Sequence, residues 1–171
     1  MPIFRVNGQL CYFAHVPKCS GMAIERYLQQ RFGPLALVDN RYLSVPKGRR
    51  WTRSSPQHVD VAALDRLIPP DWFTVGFAVV RHPVARLASV FLFQRDIEDK
   101  LPPDQDFGAF LEDLPRHWRR DPFHLDNHPR PMSDLVPDGA AVFQLEQGHG
   151  PVIGWLDRLA GDAAGPRVIP R

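Results

Sequence analysis

The residues with the clearest chemical potential lie in the stretch CYFAHVPKCSGMAIERYL, residues 11–28. An apolar run there ends at a proline, and Lys18, Ser20 and Gly21 follow before apolar residues recur at helical spacing. A loop that leads from a strand into a helix exposes backbone N–H groups that no helical carbonyl satisfies, and an anion is stabilised by those donors. Lys18 adds a full charge, Ser20 a hydroxyl and Gly21 room for close approach. The stretch indicates an anion-binding loop, with a structural turn carrying a solvated lysine as the alternative.

A second stretch of this kind is FAVVRHPVARLASVF, residues 77–91. Arg81 ends its apolar run, and Ser89 lies two turns into the helix that is expected to follow. A guanidinium and a hydroxyl offer charge-assisted and neutral hydrogen bonds that suit a phosphate. Taken alone, Arg81 fits a structural ion pair equally well, and Ser89 fits the surface of a helix.

The elements that must position these residues alternate between strand and helix. Apolar runs bounded by turn residues predict buried strands, and apolar residues at helical spacing predict helices. Pro83 is well placed to open the helix after Arg81, because its missing N–H costs nothing at a helix start. The strands are expected at residues 10–16, 73–80 and 140–145, and the helices at residues 22–32, 60–68, 83–92 and 106–119 and over VIGWLDRL in the tail. Residues 126–137 are expected to be extended.

This alternation favours an α/β fold with a mostly parallel sheet. In such sheets ligands bind at the carboxyl ends of the strands, and Lys18 and Arg81 both follow a strand end. We therefore expect the two candidate anion-binding residues to converge on one edge of the sheet. The length of 171 residues suits a single domain, residues 1–171.

Composition and charge give no indication of a nucleic-acid-binding, membrane-spanning, disulfide-rich or zinc-binding protein. The formal net charge is +2, so nothing in the net balance calls for nucleic acid or an anionic membrane. The first residues do not resemble a secretory signal, and no apolar run reaches the about 18 residues that span a membrane. Cys11 and Cys19 are too few for a disulfide framework and wrongly spaced for a zinc site. We expect a cytoplasmic protein with reduced cysteines and no membrane span.

Taken together, the two stretches resemble the sulfotransferases. FAHVPKCSGMAIERYL resembles their 5′-phosphosulfate loop, and VVRHPVARLASVF resembles their 3′-phosphate motif, an Arg and a Ser eight residues apart. SSPQHVDVAAL and DNHPRPMSDLVPDGAAVFQLEQ are similar to two segments of the carbohydrate branch, of the heparan 2-O type. All four segments occur in the family's order between residues 12 and 147.

The resemblance implies a P-loop NTPase-like three-layer fold, with a mostly parallel central sheet flanked by helices, and a specific reaction. The donor would be 3′-phosphoadenosine 5′-phosphosulfate, the acceptor a hydroxyl, and no metal would be required. Lys18 would neutralise charge on the leaving 5′-phosphate, and His58 would be the base, with His128 as second choice. The donor-binding residues implied are Lys18, Cys19, Ser20, Gly21, Met22, Ala23, Arg81 and Ser89.

Several positions depart from the family pattern. Cys19 stands where the family has Thr, and Met22 and Ala23 replace its later hydroxyls. The loop thus loses neutral hydrogen bonds, each contributing on the order of 1 kcal/mol. Asp60 and Met132 also differ from the usual Thr and Gln, and the sequence ends before the family's C-terminal helix.

These departures keep two further functions open. One is a non-catalytic nucleotide-binding protein on a degenerate sulfotransferase scaffold. The other is a phosphoryl-transfer P-loop enzyme, although the pattern G-x-x-x-x-G-K-[ST] is absent because Lys18 precedes its glycine.

Two basic and aromatic clusters bear on the acceptor. They are KGRRWTR, residues 47–53, and RHWRR, residues 116–120. Their charge would suit an anionic glycan, and an ordinary solvated surface is the alternative.

Overall fold

A computed structural model describes residues 1–169; Pro170 and Arg171, the end of the expected domain, lie outside the described residues. The chain forms an α/β structure with a four-stranded sheet flanked by helices. The strands are β1 (Ile3–Val6), β2 (Gln9–Ala14), β3 (Val75–Val80) and β4 (Ala141–Gln144). The helices are α1 (Gly21–Phe32), α2 (Val61–Leu67), α3 (Pro83–Asp96), α4 (Phe107–Arg120) and α5 (Gly150–Ala160). None of these helices is long and apolar enough to cross a membrane.

The sheet has the order β1-β2-β3-β4, and all but its first pairing are parallel. In the central pairing Ala14 lies opposite Ala78, so β2 and β3 end side by side at the same edge. Parallel neighbours must be joined by crossover connections, and α1 and α2 lie within the connection between β2 and β3. The loops that carry Lys18 and Arg81 therefore leave adjacent strands at one edge.

Side chains alternate between the two faces along each strand, and in the central strands β2 and β3 both faces are largely buried. Phe13 and Phe77 pack on the face that is covered by α1 and α5. Tyr12 and Ala78 pack on the opposite face with α2. A third apolar cluster joins α3 to α4 through Phe91 and Phe110, whose ring centroids are 5.5 Å apart.

The expected strands and helices all occur within a few residues of their expected ends, and two features differ. β1 was not expected; it forms a hairpin with β2 through Asn7 and Gly8, both with positive φ (49° and 79°). Such a two-residue turn matches the twist of the flanking strands. The segment expected to be extended contains 3-10 turns at His124–Asn127 and Met132–Asp134 instead.

The loop between β2 and α1 is tightly folded against His15. Lys18 and Ser20 have positive φ values of 66° and 68°, a conformation that is uncommon for residues other than glycine. A Cβ on Gly21 would lie 1.8 Å from Nε2 of His15. Glycine at this position therefore lets the start of α1 pass directly beside the imidazole.

We predict that Gly21→Ala destabilises the protein by about 1–3 kcal/mol, the usual cost of overpacking. The His15 ring cannot easily move, because it is buried and its Nδ1 is bonded to Glu25. Gly150→Ala is the matched control: Gly150 also begins a helix, and a Cβ there meets nothing within 4 Å. Urea denaturation of both variants measures the difference, and equal unfolding midpoints would contradict this account of the loop.

Candidate functional site

Three of the predicted site residues line one cleft at the strand-end edge of the sheet. The cleft has a volume of about 540 Å³, within the range of small-molecule sites. Lys18 enters it from the β2–α1 loop, Arg81 from the end of β3, and Ser89 from α3. The remaining lining residues are Ala85, Ala88, Leu92, Phe93, Asp96 and Ile97.

The spacing along α3 explains how this cleft forms. Ala85, Ser89 and Phe93 are four residues apart and share one helix face, and Arg81 precedes that face. Ala85 and Ala88 have small side chains, so the helix surface leaves room between Arg81 and Phe93. The side chain of Ser89 lies at the middle of this face.

Lys18 and Arg81 bring positive charge into the cleft without a carboxylate partner. Among residues 1–169, no carboxylate oxygen lies within 4.0 Å of either side-chain cation. Burial and then the charge of Arg81 lower the pKa of Lys18. Its Nζ lies 3.9 Å from the ring centroid of Phe93, a cation–π contact. An anion in the cleft would relieve this repulsion.

Asp96 also lines the cleft, but its carboxylate is already bound. Arg95 donates to it from Nε at 2.6 Å and from a terminal nitrogen at 3.2 Å. Glu146 is similarly engaged, accepting the backbone N–H of His82 at 2.8 Å. Neither carboxylate lies within 4.0 Å of Lys18 or Arg81, but Glu146 interacts with Arg81, and Glu98 with Lys18, at longer range.

The other loop residues of the predicted donor site lie outside the lining of the cleft. Cys19 is buried, and burial raises the pKa of its thiol to about 12, so it is a packed apolar group. Ser20 makes no side-chain cap to α1, Met22 is exposed, and Ala23 packs against the core. Within the described residues, the backbone N–H groups of residues 21–23 have no acceptor. These donors remain available at the start of α1.

His58 forms a hydrogen-bonded group with Asp126, a residue without an assigned role in the sequence. His58 Nδ1 donates to Asp126 Oδ2 at 2.7 Å, and Ser55 Oγ donates to the same oxygen at 2.7 Å. The backbone N–H of Ser55 donates to Asp126 Oδ1 at 2.5 Å. Burial raises the pKa of Asp126, but the bonds from His58 and Ser55 outweigh it and lower the pKa. The ionised carboxylate fixes the His58 proton on Nδ1 and leaves Nε2 as a proton acceptor.

Asp126 sits in a strained turn. Leu125, Asp126 and Asn127 have consecutive positive φ values of 51°, 55° and 63°, each unfavourable for an L-residue. Asn127 is fully buried and donates to the carbonyl of His58 at 2.8 Å. Strain of this kind is found at functional sites, where the surrounding contacts enforce it.

Arg86 holds the segment that follows this turn. Its buried guanidinium donates to the carbonyl of His128 at 2.8 Å and to that of Arg130 at 2.5 Å. A longer bond of 3.4 Å reaches the carbonyl of Pro129. Arg86 thereby ties the strand-to-helix unit that carries Arg81 to the segment that carries Asp126 and His128.

A series of ring contacts connects the His58 group to the cleft. His58 lies edge-on to His128 with centroids 4.9 Å apart, and His128 stacks on Phe93 at 5.5 Å. Phe93 is the ring beneath Lys18. The predicted base, the second-choice base and the predicted donor lysine are therefore brought into one region. His15, which was not assigned a role, adjoins His58 at 4.8 Å.

Comparison with known proteins does not assign this chain to a family. No family model, no curated protein and no solved structure matches this chain.

Sequence reasoning missed Asp126, Arg86 and Phe93 as members of this region. Asp126 precedes His128 by two residues and is separated from His58 by 68, so only the fold pairs them. Arg86 falls within the motif that supplied Arg81 and Ser89. Its place in that motif could have marked it as a functional candidate. Its role in holding the segment could not be predicted, because the carbonyls that it binds lie 42 to 44 residues away along the chain.

We predict that the protein loses stability on acidification because two buried imidazoles are held neutral. Burial lowers the pKa of His15 to about 4 and that of His128 to about 3, below the ordinary value of 6.5. The unfolded chain thus binds these protons first, and stability is lost as pH falls below about 6.5 toward 4. His15 should contribute about 1–2 kcal/mol of this loss between pH 7 and 5.

Urea denaturation at pH 7 and pH 5 tests this, with wild type compared with His15→Gln. The variant should lose less stability on acidification than wild type does. His82→Gln serves as control, since His82 is exposed, and its pH dependence should match wild type. Identical pH dependence in His15→Gln and wild type would contradict the account.

Proposed function

We propose that the chain is a sulfotransferase that moves a sulfuryl group from 3′-phosphoadenosine 5′-phosphosulfate to an acceptor hydroxyl. The observation that carries the proposal is the cleft in which Lys18, Arg81 and Ser89 meet, two of them cations without carboxylate partners. The strand–loop–helix arrangement around the cleft is consistent with a P-loop NTPase-like fold, which we include in the proposal.

The donor would be held by its two phosphate groups. Arg81 and Ser89 offer a charge-assisted and a neutral hydrogen bond for the 3′-phosphate. Lys18 and the unpaired N–H groups of residues 21–23 suit the 5′-phosphate. The loop offers few side-chain donors, because the Cys19 thiol is buried and Met22 is exposed. Binding of the 5′-phosphate would thus depend on Lys18 and the backbone.

The Asp126–His58 pair supports His58 as the base. In the transfer, the acceptor oxygen bonds to sulfur as the bond from sulfur to the 5′-phosphate oxygen breaks. The acceptor proton passes to Nε2 of His58, and Lys18 stabilises the charge that develops on the leaving phosphate. Asp126 would stabilise the imidazolium that forms. His128 would position His58 through ring contact, since burial keeps its own imidazole neutral.

The acceptor that we favour is a carbohydrate, and an anionic glycan in particular. Trp51 is exposed among the basic residues 47–53. Arg53 pairs with Asp121 at 2.7 Å, which places this cluster beside the end of the basic run 116–120. Basic side chains interleaved with an exposed aromatic ring suit a charged sugar chain.

We predict that 3′-phosphoadenosine 5′-phosphate binds the wild-type protein in isothermal titration calorimetry. Arg81→Ala should weaken binding at least tenfold, because it removes a charge-assisted bond worth about 1.5–3 kcal/mol. Ser89→Ala should weaken it about threefold to tenfold, the effect of a neutral bond. Arg116→Ala is the matched control, as Arg116 is an exposed arginine paired with Asp113 on α4.

The same titration separates the alternatives. No binding to wild type at millimolar nucleotide would overturn the proposal, as would equal losses in Arg81→Ala and Arg116→Ala. Tighter, magnesium-dependent binding of ATP would favour a phosphoryl-transfer enzyme. Binding without any transfer of labelled sulfate to glycans would favour a non-catalytic nucleotide-binding protein.

The role of His58 as the base can be tested by measuring kcat for sulfate transfer. His58→Asn should lower kcat for sulfate transfer by about 10²- to 10⁴-fold, the usual contribution of a general base. Asp126→Asn should lower kcat at least tenfold, because the carboxylate no longer fixes the imidazole proton. Both variants should bind the 3′-phosphorylated nucleotide as wild type does. An unchanged kcat in His58→Asn would exclude His58 as the base.

A further inference from the structure

Three side chains of the kind that bind metal ions converge beside Phe93. His58, Asp126 and His128 each offer one donor atom, and these atoms lie within 4.8 Å of one another. Two imidazoles and one carboxylate form a donor set suited to borderline divalent cations such as Zn²⁺. The sequence did not indicate this set, because His58 is remote from the other two along the chain.

The hydrogen bonds of the cluster resemble those that orient metal ligands. His128 Nδ1 donates to the carbonyl of Leu125 at 2.8 Å, which leaves the lone pair of the ring on Nε2. A backbone carbonyl in this position fixes the tautomer and the orientation of a ligating imidazole.

The charges around the cluster also favour a cation. The guanidinium of Arg86 is directed at backbone carbonyls, and that of Arg130 at Asp60 and Asp134. Among the described residues, no lysine or arginine side chain therefore forms an ion pair with the Asp126 carboxylate, which accepts hydrogen bonds from His58 and Ser55.

The backbone conformation of residues 125–127 is a second observation that supports a ligand site. The three residues 125–127 are all left-handed, and this conformation brings Asp126 and His128 to the same side as His58. A run of strained residues is costly, and such strain clusters at sites that hold ligands. A purely structural link between Asp126 and His58 would not require His128 to join them.

We propose that His58, Asp126 and His128 form a binding site for a Zn²⁺-like divalent cation, and that the bound cation blocks His58 as a base. His58 Nδ1 and Asp126 Oδ2 are 2.7 Å apart and share a proton. A cation that replaces this proton would separate them to about 3.3 Å, as tetrahedral ligation requires. The proton displaced from Nδ1 is replaced by one taken up from solvent on Nε2, so that the neutral ring ligates the cation through Nδ1 and carries its single proton on Nε2.

Cation binding itself does not depend on the proposed sulfuryl transfer, but its inhibitory consequence does. A ring that is protonated at Nε2 cannot accept the acceptor proton. Occupation of the site would therefore stop transfer without displacing the nucleotide, whose proposed binding residues Lys18 and Arg81 are not ligands of the cation.

The test is a titration of the purified full chain with ZnCl₂ in competition with a chromophoric chelator. Wild type should bind one Zn²⁺ per chain, and Asp126→Asn and His128→Gln should each bind at least tenfold more weakly. His124→Ala is the matched control, because His124 stacks on His117 at 4.4 Å and this pair is the obvious alternative site. The control should bind as wild type does.

The visible absorption of bound Co²⁺ tests the site on the wild-type protein alone, so this test does not depend on whether the variants fold. Addition of Co²⁺ to wild type should produce the intense visible absorption of a four-coordinate ion. Loss of binding in His124→Ala, unchanged binding in both cluster variants, or only the weak absorption of six-coordinate Co²⁺ would overturn the proposal. Nucleotide binding measured on the same samples reports separately on the proposed function.

Discussion

The parallel pairing of β2 with β3 is the constraint on which the candidate site depends. Its register sets Ala14 opposite Ala78, so Lys18 and Arg81 leave the sheet at neighbouring points of one edge. A register shift of one residue would turn every side chain of a strand to the other face, and the buried faces on both sides forbid it. The α3 helix then begins at once with Pro83, which directs Ser89 and Phe93 back over the loop of Lys18.

A second feature is that several arrangements that lower the folding stability lie together beside the cleft. Lys18, without a carboxylate partner within 4.0 Å among the described residues, contacts Phe93, and Phe93 stacks on the buried imidazole of His128, which directly follows the left-handed turn 125–127. Arg86 stabilises this arrangement by donating to the carbonyls of residues 128–130, and Asn127 by donating to the carbonyl of His58. Such arrangements lower the stability of a fold, so their grouping at one place supports a ligand-binding role.

Strand and helix positions followed from apolar runs and periodicity, because the central strands are buried on both faces. In α3 the helix was predicted correctly, but Val84 and Leu92 of its expected apolar set are exposed, while Arg86 and Gln94 are buried. The convergence of Lys18 and Arg81 was predictable because each follows a parallel strand, and the carboxyl ends of parallel strands meet at one edge of the sheet. β1 was missed because a four-residue strand carries little periodicity, although Asn7 and Gly8 are a recognisable hairpin turn. Gly21 was expected to allow close approach of an anion, a prediction that stays untested, and the need for glycine that the structure does show comes from the neighbouring His15 ring. The pairing of Asp126 with His58 could not be read from spacing, since tertiary folding alone brings them together.

The most direct test of the account is a crystal structure of the protein soaked with 3′-phosphoadenosine 5′-phosphate. The account places the 3′-phosphate between Arg81 and Ser89, the 5′-phosphate against Lys18 and the start of α1, and the open 5′ end toward Nε2 of His58. A nucleotide bound elsewhere, or one whose 3′-phosphate makes no contact with Arg81, would contradict it.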